Sequence, residues 1–238
     1  MTAILTLTVH QLTGSRRVWL VLALVSLPLL AAVLFHVGDS TTTSGEFADD
    51  ITSTLVASGI LPLVMLLFGT SAFGNELSDR TLGYLALKPL ARRRIVVPKL
   101  VAAIVAGGIP VAASGALAVA VIEDADIGGA LATGIGLLAG AAAYAAIFTW
   151  AGLATRHALV FGLFYVFVWE ATLAAYLDGV RFASVRQYAL AIMHGLDDDR
   201  LATLDLRLGV RAALVGCAIV VVGFTLLAVR RLSRMDIP

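Results

Sequence analysis

The chain has 238 residues, of which 60% are hydrophobic and only 14% are charged, and its mean hydropathy is +0.95. This composition excludes an ordinary soluble domain and indicates an integral membrane protein. The formal net charge of +1 gives no sign of a nucleic-acid partner, and the single cysteine, Cys217, excludes an intrachain disulfide.

Six apolar stretches approach or exceed the roughly 20 residues that a helix needs to cross a bilayer. They cover residues 18–37, 51–73, 100–122, 127–154, 158–177 and 209–229. The connection over residues 38–50 is polar without lysine or arginine, residues 123–126 are acidic, and Thr155 to His157 form a tight turn. We therefore predict an all-α integral membrane protein with six transmembrane helices in a single transmembrane domain, residues 1–238.

The basic residues are distributed unequally between the two ends of these spans. Twelve lie on one side of the six-span arrangement: Arg16, Arg17, Arg80, Lys88, Arg92, Arg93, Arg94, Lys99, Arg156, Arg230, Arg231 and Arg234. The opposite side has arginines only near its last segment, residues 178–211, where five arginines accompany five aspartates. The positive-inside rule then predicts a multi-pass protein of the cell membrane with both termini in the cytoplasm.

The longest polar passage on the basic side, residues 74–99, separates the second and third spans. Three- and four-residue spacing predicts a short amphipathic helix at its start. The apolar side chains of this helix are Leu77, Leu82, Tyr84 and Leu85, and its polar side chains include Glu76, Asp79 and Arg80. Pro89 ends the helix, and Arg92, Arg93 and Arg94 are placed to face anionic lipid headgroups. Composition alone is equally compatible with an ordinary basic loop.

The order of residues in this passage is more specific than its composition. Glu76, Arg80-Thr81-Leu82, Leu85, Pro89, Arg92 and Lys99 follow one another in that sequence. This order resembles the signature of the exporter-type ABC permeases of the second class, with Arg80 where glycine is common.

The resemblance implies a half-size permease subunit that works as a dimer, with itself or with a related chain. Two separate ATPase subunits would bind ATP and Mg²⁺, so the chain itself would hold no cofactor. They would dock from the cytoplasm on a coupling helix, residues 76–87. The coupling residues would be Glu76, Asp79, Arg80, Thr81, Leu82, Tyr84, Leu85 and Pro89. The translocation pathway would lie between the second and fifth spans of the two permease subunits.

Small residues recur at every fourth position in the third and fourth spans. The two stripes are Gly108, Ala112, Ala116 and Ala120, and Gly128, Ala132, Gly136 and Gly140. Small side chains let helix backbones approach closely in lipid. The stripes therefore predict that the third and fourth spans pack on each other.

Residues 178–208 are too polar to span the bilayer and too long for a simple turn. Val185, Tyr188 and Ile192 contribute to one apolar helical face, which Gly195 and the following aspartates interrupt. We predict a re-entrant helical hairpin in the outer leaflet, as the family resemblance also implies. A plain extracellular loop is the alternative.

One carboxylate, Glu170, falls within an apolar span, directly after Tyr165, Phe167 and Trp169. Placing an acid at such a depth costs about 2.5–3.5 kcal/mol on insertion scales, so these residues usually face a bundle interior or a wet cavity. Tyr165, Trp169 and Glu170 are therefore candidates for the lining of a pathway. A structural hydrogen bond between helices is the alternative role for Glu170.

Motifs of other functional classes are missing from the sequence. Both lysines lack the context of a phosphate-binding loop, the four histidines form no metal pair, and there is no G-x-S-x-G nucleophile motif. We therefore expect no enzymatic activity in this chain alone. The rival class is a membrane scaffold or assembly factor that uses the same six spans only to anchor partners.

Overall fold

The computed structural model describes residues 17–38, 42–78, 92–155, 157–173, 183–201, 204 and 208–234, and the regular elements within them are helical. In chain order the α-helices are α1 (Arg17–Val37), α2 (Ser44–Asp50), α3 (Leu61–Ser78), α4 (Arg93–Ala103), α5 (Ile109–Ile122), α6 (Ile127–Ala154), α7 (Ala158–Phe164), α8 (Val185–Leu196) and α9 (Val210–Arg234). Wider π-helical segments continue three of them, namely π1 (Ile51–Ile60) after α2, π2 (Ile104–Gly108) after α4 and π3 (Tyr165–Leu173) after α7.

Within the described residues, five continuous helices are long and apolar enough to cross a bilayer. They are Val18–Val37, Ser44–Gly74, Arg93–Ile122, Ile127–Ala154 and Val210–Arg234. The expected fifth span, residues 158–177, is a shorter apolar helix formed by α7 and π3, and residues 174–177 lie outside the described residues. The structure confirms a helical protein with several membrane-length helices, and the number six stays a prediction.

Two of the long helices start well before the predicted positions. The connection over residues 38–50 contains α2, whose N-terminus is capped by the Thr43 hydroxyl, which accepts a hydrogen bond from the Glu46 N–H at 3.4 Å. The third long helix starts at Arg93 rather than at residue 100. Hydropathy marks the part of a helix that suits lipid, whereas a good helix former such as arginine continues the helix beyond it.

Helix α6 occupies the centre of the bundle and contacts α3, α5, α8 and α9. Glycines let its backbone approach that of α3 very closely. A Cβ atom on Gly69 would lie 2.7 Å from the Phe148 Cβ, and one on Gly152 would lie 2.8 Å from the Thr70 carbonyl oxygen. Close approach of this kind is how helices gain packing energy in lipid.

The predicted contact between the third and fourth spans is confirmed, but only one small-residue stripe forms it. A Cβ on Gly108 would lie 2.8 Å from the Ala141 Cβ. On the fourth span, a Cβ on Gly136 would instead meet Met193 and Ala189 of α8, and one on Gly140 would lie 3.0 Å from Leu61 of α3 and 3.1 Å from Ala189 of α8. The stripe on α6 was therefore assigned to the wrong neighbour, because a four-residue spacing identifies a helix face and not its partner.

Helices α1 and α9 lie at the perimeter, where large apolar side chains are exposed, among them Trp19 at 76% and Ile219 at 66%. Such faces are stable in lipid rather than in water, which fits a multi-pass membrane protein. We call the end of the bundle with Asp49 and Glu123 the acidic end, and the opposite end, with Arg93 and Arg231, the basic end.

Candidate functional site

The intramembrane carboxylate of Glu170 lies in π3, and the residue is only 2% exposed. Its Oε1 atom accepts hydrogen bonds from the Val185 backbone N–H at 2.9 Å and from the Tyr165 hydroxyl at 3.3 Å. Its Oε2 atom accepts one from the Ser184 hydroxyl at 2.5 Å. Three donors satisfy a buried carboxylate well. The structure thus contains the hydrogen bond to a neighbouring helix that was one of two expected roles, and the pathway role stays a prediction.

Glu170 binds the N-terminus of α8. Val185 is the first residue of that helix, so its N–H has no acceptor within the helix. Ser184 is the N-cap and accepts a hydrogen bond from the Gln187 N–H at 3.3 Å. A negative charge at a helix N-terminus contributes about 0.3–1 kcal/mol, and up to about 2 kcal/mol when buried. Glu170 therefore fixes the start of α8 against π3.

Further side chains surround this junction. The Trp169 indole N–H donates to the Ala183 carbonyl oxygen at 3.4 Å, which is a second bond between π3 and the residues before α8. Tyr144 of α6 and Arg186 of α8 both interact electrostatically with Glu170. Tyr144 is fully buried, and its hydroxyl has no hydrogen-bond partner within the described residues. The junction joins α6, π3 and α8.

A cavity of ≈ 410 Å³ lies beside the junction, between α6, α7, π3, α8 and α9. Its aromatic lining consists of Phe148, Trp150, Phe161, Tyr165, Trp169, Tyr188 and Phe224. We call it the aromatic cavity. Tyr165 and Trp169 were identified from the sequence. Phe161 lies four residues before Tyr165 in the same apolar stretch but was not singled out. The other four aromatic residues come from α6, α8 and α9, whose contact with π3 no local spacing reveals. The structure thus brings the three pathway candidates together, with Glu170 behind the lining residues Tyr165 and Val185.

Most of the predicted ATPase-coupling residues fall outside the described residues. Glu76 belongs to the last turns of α3, although its side chain is not among those described, and the other coupling residues, Asp79, Arg80, Thr81, Leu82, Tyr84, Leu85 and Pro89, lie in the undescribed range 79–91. At the start of the next helix, Arg92 is half-buried while Arg93 and Arg94 are exposed. Their contact with lipid headgroups stays a prediction.

Lys99, the last residue of the signature, is unexpectedly buried. It is 2% exposed, and its ammonium group donates to the Ala72 carbonyl oxygen of α3 at 2.5 Å. The same nitrogen lies 4.5 Å from the centre of the Phe73 ring, a favourable position for a cation over an aromatic face. Lys99 therefore joins the base of α4 to α3, at the two ends of the undescribed range 79–91.

A second polar centre lies at the acidic end, where sequence reasoning assigned no site. The Arg200 guanidinium, 3% exposed, lies 3.0 Å from the Asp49 carboxylate and 2.7 Å from the Glu123 carboxylate. Asp49 also accepts a hydrogen bond from the Leu201 N–H at 2.9 Å. We call Asp49, Glu123 and Arg200 the Arg200 cluster. It ties the segment after α8 to the first turns of the second long helix, which contain Asp49, and to Glu123 directly after the third long helix.

The electrostatics of the Arg200 cluster are those of a buried ion pair. Burial raises the pKa of the Glu123 carboxyl above its ordinary value, and the positive charge of Arg200 opposes this shift. The sequence held one indirect signal: the first two connections at this end contain acids and no lysine or arginine. Two of those acids, Asp49 and Glu123, are largely buried side chains that need a cation, and Arg200 provides it.

Comparison with protein families identifies one match. Residues 14–177 match the family model described as ABC-2 family transporter protein. The matched range contains the signature passage, Lys99 and π3, and it ends before α8 and α9. No curated protein matches the chain.

Proposed function

Because the chain belongs to the ABC-2 family of transporter proteins and is thus a permease subunit that works with an ABC ATPase, we propose that it forms part of an ATP-driven exporter. The family match over residues 14–177 carries this proposal, and the membrane-length helices support it. In the proposed complex, two partner ATPase subunits bind ATP and Mg²⁺, and this chain supplies the membrane passage without hydrolysing ATP itself.

The proposed pathway lies between the second and fifth spans of two permease subunits, either identical or related. Both spans contain long π-helical segments, π1 and π3, and the third span contains the shorter segment π2. Such segments are rare in proteins and are concentrated at functional sites. We propose that ATP-driven closure of the ATPases shifts these two helices between alternative packings, so that the pathway opens outward.

Coupling is proposed to occur through residues 76–87, on which the ATPase docks. Lys99 supports this assignment, because its bonds to α3 hold together the helices on either side of the coupling segment. Leu82 and Leu85, with Tyr84, would fill a groove on the ATPase, while Glu76 and Arg80 would set the angle of docking.

A charge placed on the apolar face of the coupling segment tests this assignment. Leu82→Asp should leave the permease inserted in the membrane but release the ATPase during purification. Leu82→Met, which keeps the apolar character and about the same volume, should retain the ATPase. If the Asp variant purifies with its ATPase and transports normally, the segment is not the docking site.

The cell membrane is the proposed location, with the basic end of the bundle and both termini in the cytoplasm. Single cysteines introduced into a Cys217→Ser chain test this orientation. Cysteines at Ser44 and Asp124, both exposed at the acidic end, should react with an impermeant thiol reagent in intact cells. Cysteines at Ser78 and Ser233 should react only after lysis, and labelling of Ser78 from outside would overturn the orientation.

We further propose that α8 is the ascending half of a re-entrant hairpin. Met193 lies against Gly136 and Ala189 against Gly140, so α8 runs antiparallel to α6. The N-terminus of α8 is bonded to Glu170, which in turn interacts electrostatically with Tyr144 of α6. The start of α8 therefore lies at the level of Tyr144. At about 1.5 Å of rise per residue, Tyr144 lies about 25 Å along the axis of α6 from Ile127. The hydrocarbon core of a bilayer is about 30 Å thick. The N-terminus of α8 would therefore lie deep in the membrane.

Accessibility separates this hairpin from a plain outer loop. A cysteine at Leu196, which is 52% exposed at the acidic end, should react with the impermeant reagent. A cysteine at Gln187 should remain unreactive in intact cells, because it lies near the deep end of α8. Equal labelling at the two positions would favour the plain loop.

The transport function itself is tested with the assembled complex. The chain should purify with an ABC ATPase, and the ATPase activity of the complex in nanodiscs should rise with substrate and disappear when the catalytic residues of the ATPase are changed. A chain that assembles with partners but never supports ATP-dependent export from vesicles would instead be the scaffold.

A further inference from the structure

The lining of the aromatic cavity is unusual for this chain. The whole sequence has three tryptophans, five tyrosines and ten phenylalanines, and seven of these, all within the described part of the chain, line this one cavity. Its volume of ≈ 410 Å³ falls within the roughly 300–1,000 Å³ of small-molecule sites. Aliphatic walls suffice to hold an acyl chain, so a concentration of aromatic faces favours a ligand that the faces attract more specifically.

Aromatic faces carry negative potential and attract cations, most strongly when the cation has been removed from water. Among the lining residues that the structure describes there is no lysine or arginine. Glu170 lies directly behind the lining, where it accepts hydrogen bonds from Tyr165 and Val185. A phenol that donates to a carboxylate has a more electron-rich ring, which strengthens the attraction. Arg186 faces Glu170 from α8 but does not line the cavity.

The position of the cavity gives a ligand access from the bilayer. Phe161, one of its walls, is 62% exposed at the perimeter of the bundle, and Ile147 to Ala151 of α6 place the cavity towards the basic end. In the proposed orientation this is the cytoplasmic leaflet, whose anionic lipids attract cations to the membrane surface.

We propose that the aromatic cavity binds a hydrophobic organic cation, and that such cations are the substrate class of the transporter. The assignment as exported substrate rests on the proposed function, whereas binding to the cavity does not. A lipid acyl chain or a neutral hydrophobic molecule is the alternative occupant, and the experiment below distinguishes it.

Two of the three tryptophans report directly on the cavity. In the full-length chain with Trp19→Phe, the remaining tryptophans are Trp150 and Trp169, and both line the cavity. With this chain in nanodiscs of uncharged lipid, tetraphenylphosphonium should quench the fluorescence saturably. Tetraphenylborate, which places the same four phenyl groups around the opposite charge, should bind at least tenfold more weakly.

A matched pair of phenylalanines controls for partition into the bilayer. Phe161 and Phe164 lie on α7 and are 62% and 65% exposed, but only Phe161 lines the cavity. Phe161→Leu should weaken phosphonium binding about 2- to 30-fold, the range for loss of one cation–π contact, whereas Phe164→Leu should leave it unchanged. Tyr165→Leu should reproduce the effect of Phe161→Leu.

The outcomes separate this proposal from the transport function. Equal binding of the borate, or equal effects of Phe161→Leu and Phe164→Leu, would overturn the cation site even if export by the complex is normal. Saturable, cation-selective binding that fails to raise the ATPase activity of the complex would retain the site and overturn its assignment as the substrate site.

Discussion

Replacing Arg200 by methionine should destabilise the folded protein by about 3–5 kcal/mol, the usual cost of removing one partner from a buried ion pair. The Asp49 and Glu123 side chains are 12% and 16% exposed, and the Arg200 guanidinium lies 3.0 Å and 2.7 Å from them. Methionine fills much of the space of the arginine stem, so the loss is mainly electrostatic. Two carboxylates would remain without their cation at a site that water barely reaches.

The loss of stability caused by Arg200→Met should also depend on pH and should be smaller at low pH. Burial already raises the pKa of the Glu123 carboxyl, and Arg200 opposes that shift, so the Arg200→Met change should raise this pKa further. A carboxyl whose pKa is higher in the folded state favours folding at low pH, and this contribution is lost as the pH rises through that pKa. The penalty should therefore be smaller near about pH 5 than near about pH 8.

Chemical unfolding of the purified protein in detergent at both pH values measures these effects. Arg211→Met, at an exposed position in the first turn of α9, is the control, because surface substitutions usually change stability by less than about 0.5 kcal/mol. Adding Asp49→Asn and Glu123→Gln to Arg200→Met should restore most of the lost stability, since no buried charge then lacks a partner. If Arg200→Met is as stable as the control at both pH values, the Arg200 cluster is not a buried ion pair in solution.

Three further predictions concern the helix contacts. Lys99→Met should lower stability by about 1–3 kcal/mol in the same assay, because the charged hydrogen bond between α3 and α4 is lost; an unchanged unfolding midpoint would contradict this. Gly136→Val should displace α8, since its Cβ would lie 2.3 Å from the Met193 Cγ, whereas Gly223→Val, with no atom within 4 Å of its Cβ, should be tolerated. Glu170→Gln should lower the free energy of unfolding by only about 1 kcal/mol, because an amide oxygen can still accept a hydrogen bond from a backbone N–H. Glu170→Leu should lower it several times more, because it leaves buried donors unpaired. Equal unfolding curves for the two variants would refute this difference.

The long helices could be predicted from the sequence because hydropathy over about 20 residues depends on local composition alone. The family could be recognised because the signature between Glu76 and Lys99 is also local. The start of α2 within a polar connection was missed although a local signal marks it, because Thr43 caps the helix three residues before Glu46. The burial of an acid in this helix has no such local signal. Asp49 needs Arg200, which is far along the chain, and no spacing rule connects the two.

The burial of Lys99 and the Arg200 cluster could not be predicted for the same reason, because both depend on contacts between residues far apart in the chain. Lys99 was counted among the basic residues on the cytoplasmic side of the spans, but it is buried, and its charge meets the Ala72 carbonyl oxygen and the Phe73 ring of α3. Arg200 was counted among arginines on the side where few were expected. Each of these charges is stabilised by a partner that only the folded chain provides.

Glu170 shows how a structural and a functional role combine in one residue. Its insertion cost of about 2.5–3.5 kcal/mol suggested a wet pathway from the sequence, yet three donors now offset that cost, so burial alone no longer favours the pathway. The argument for ligand binding comes instead from the separate observation that aromatic residues converge beside it. Because the carboxylate bonds both Tyr165, a wall of the cavity, and the N-terminus of α8, any shift of π3 would move the cavity wall and α8 together. A ligand that fits only one arrangement of the cavity would therefore bias the position of α8 as well.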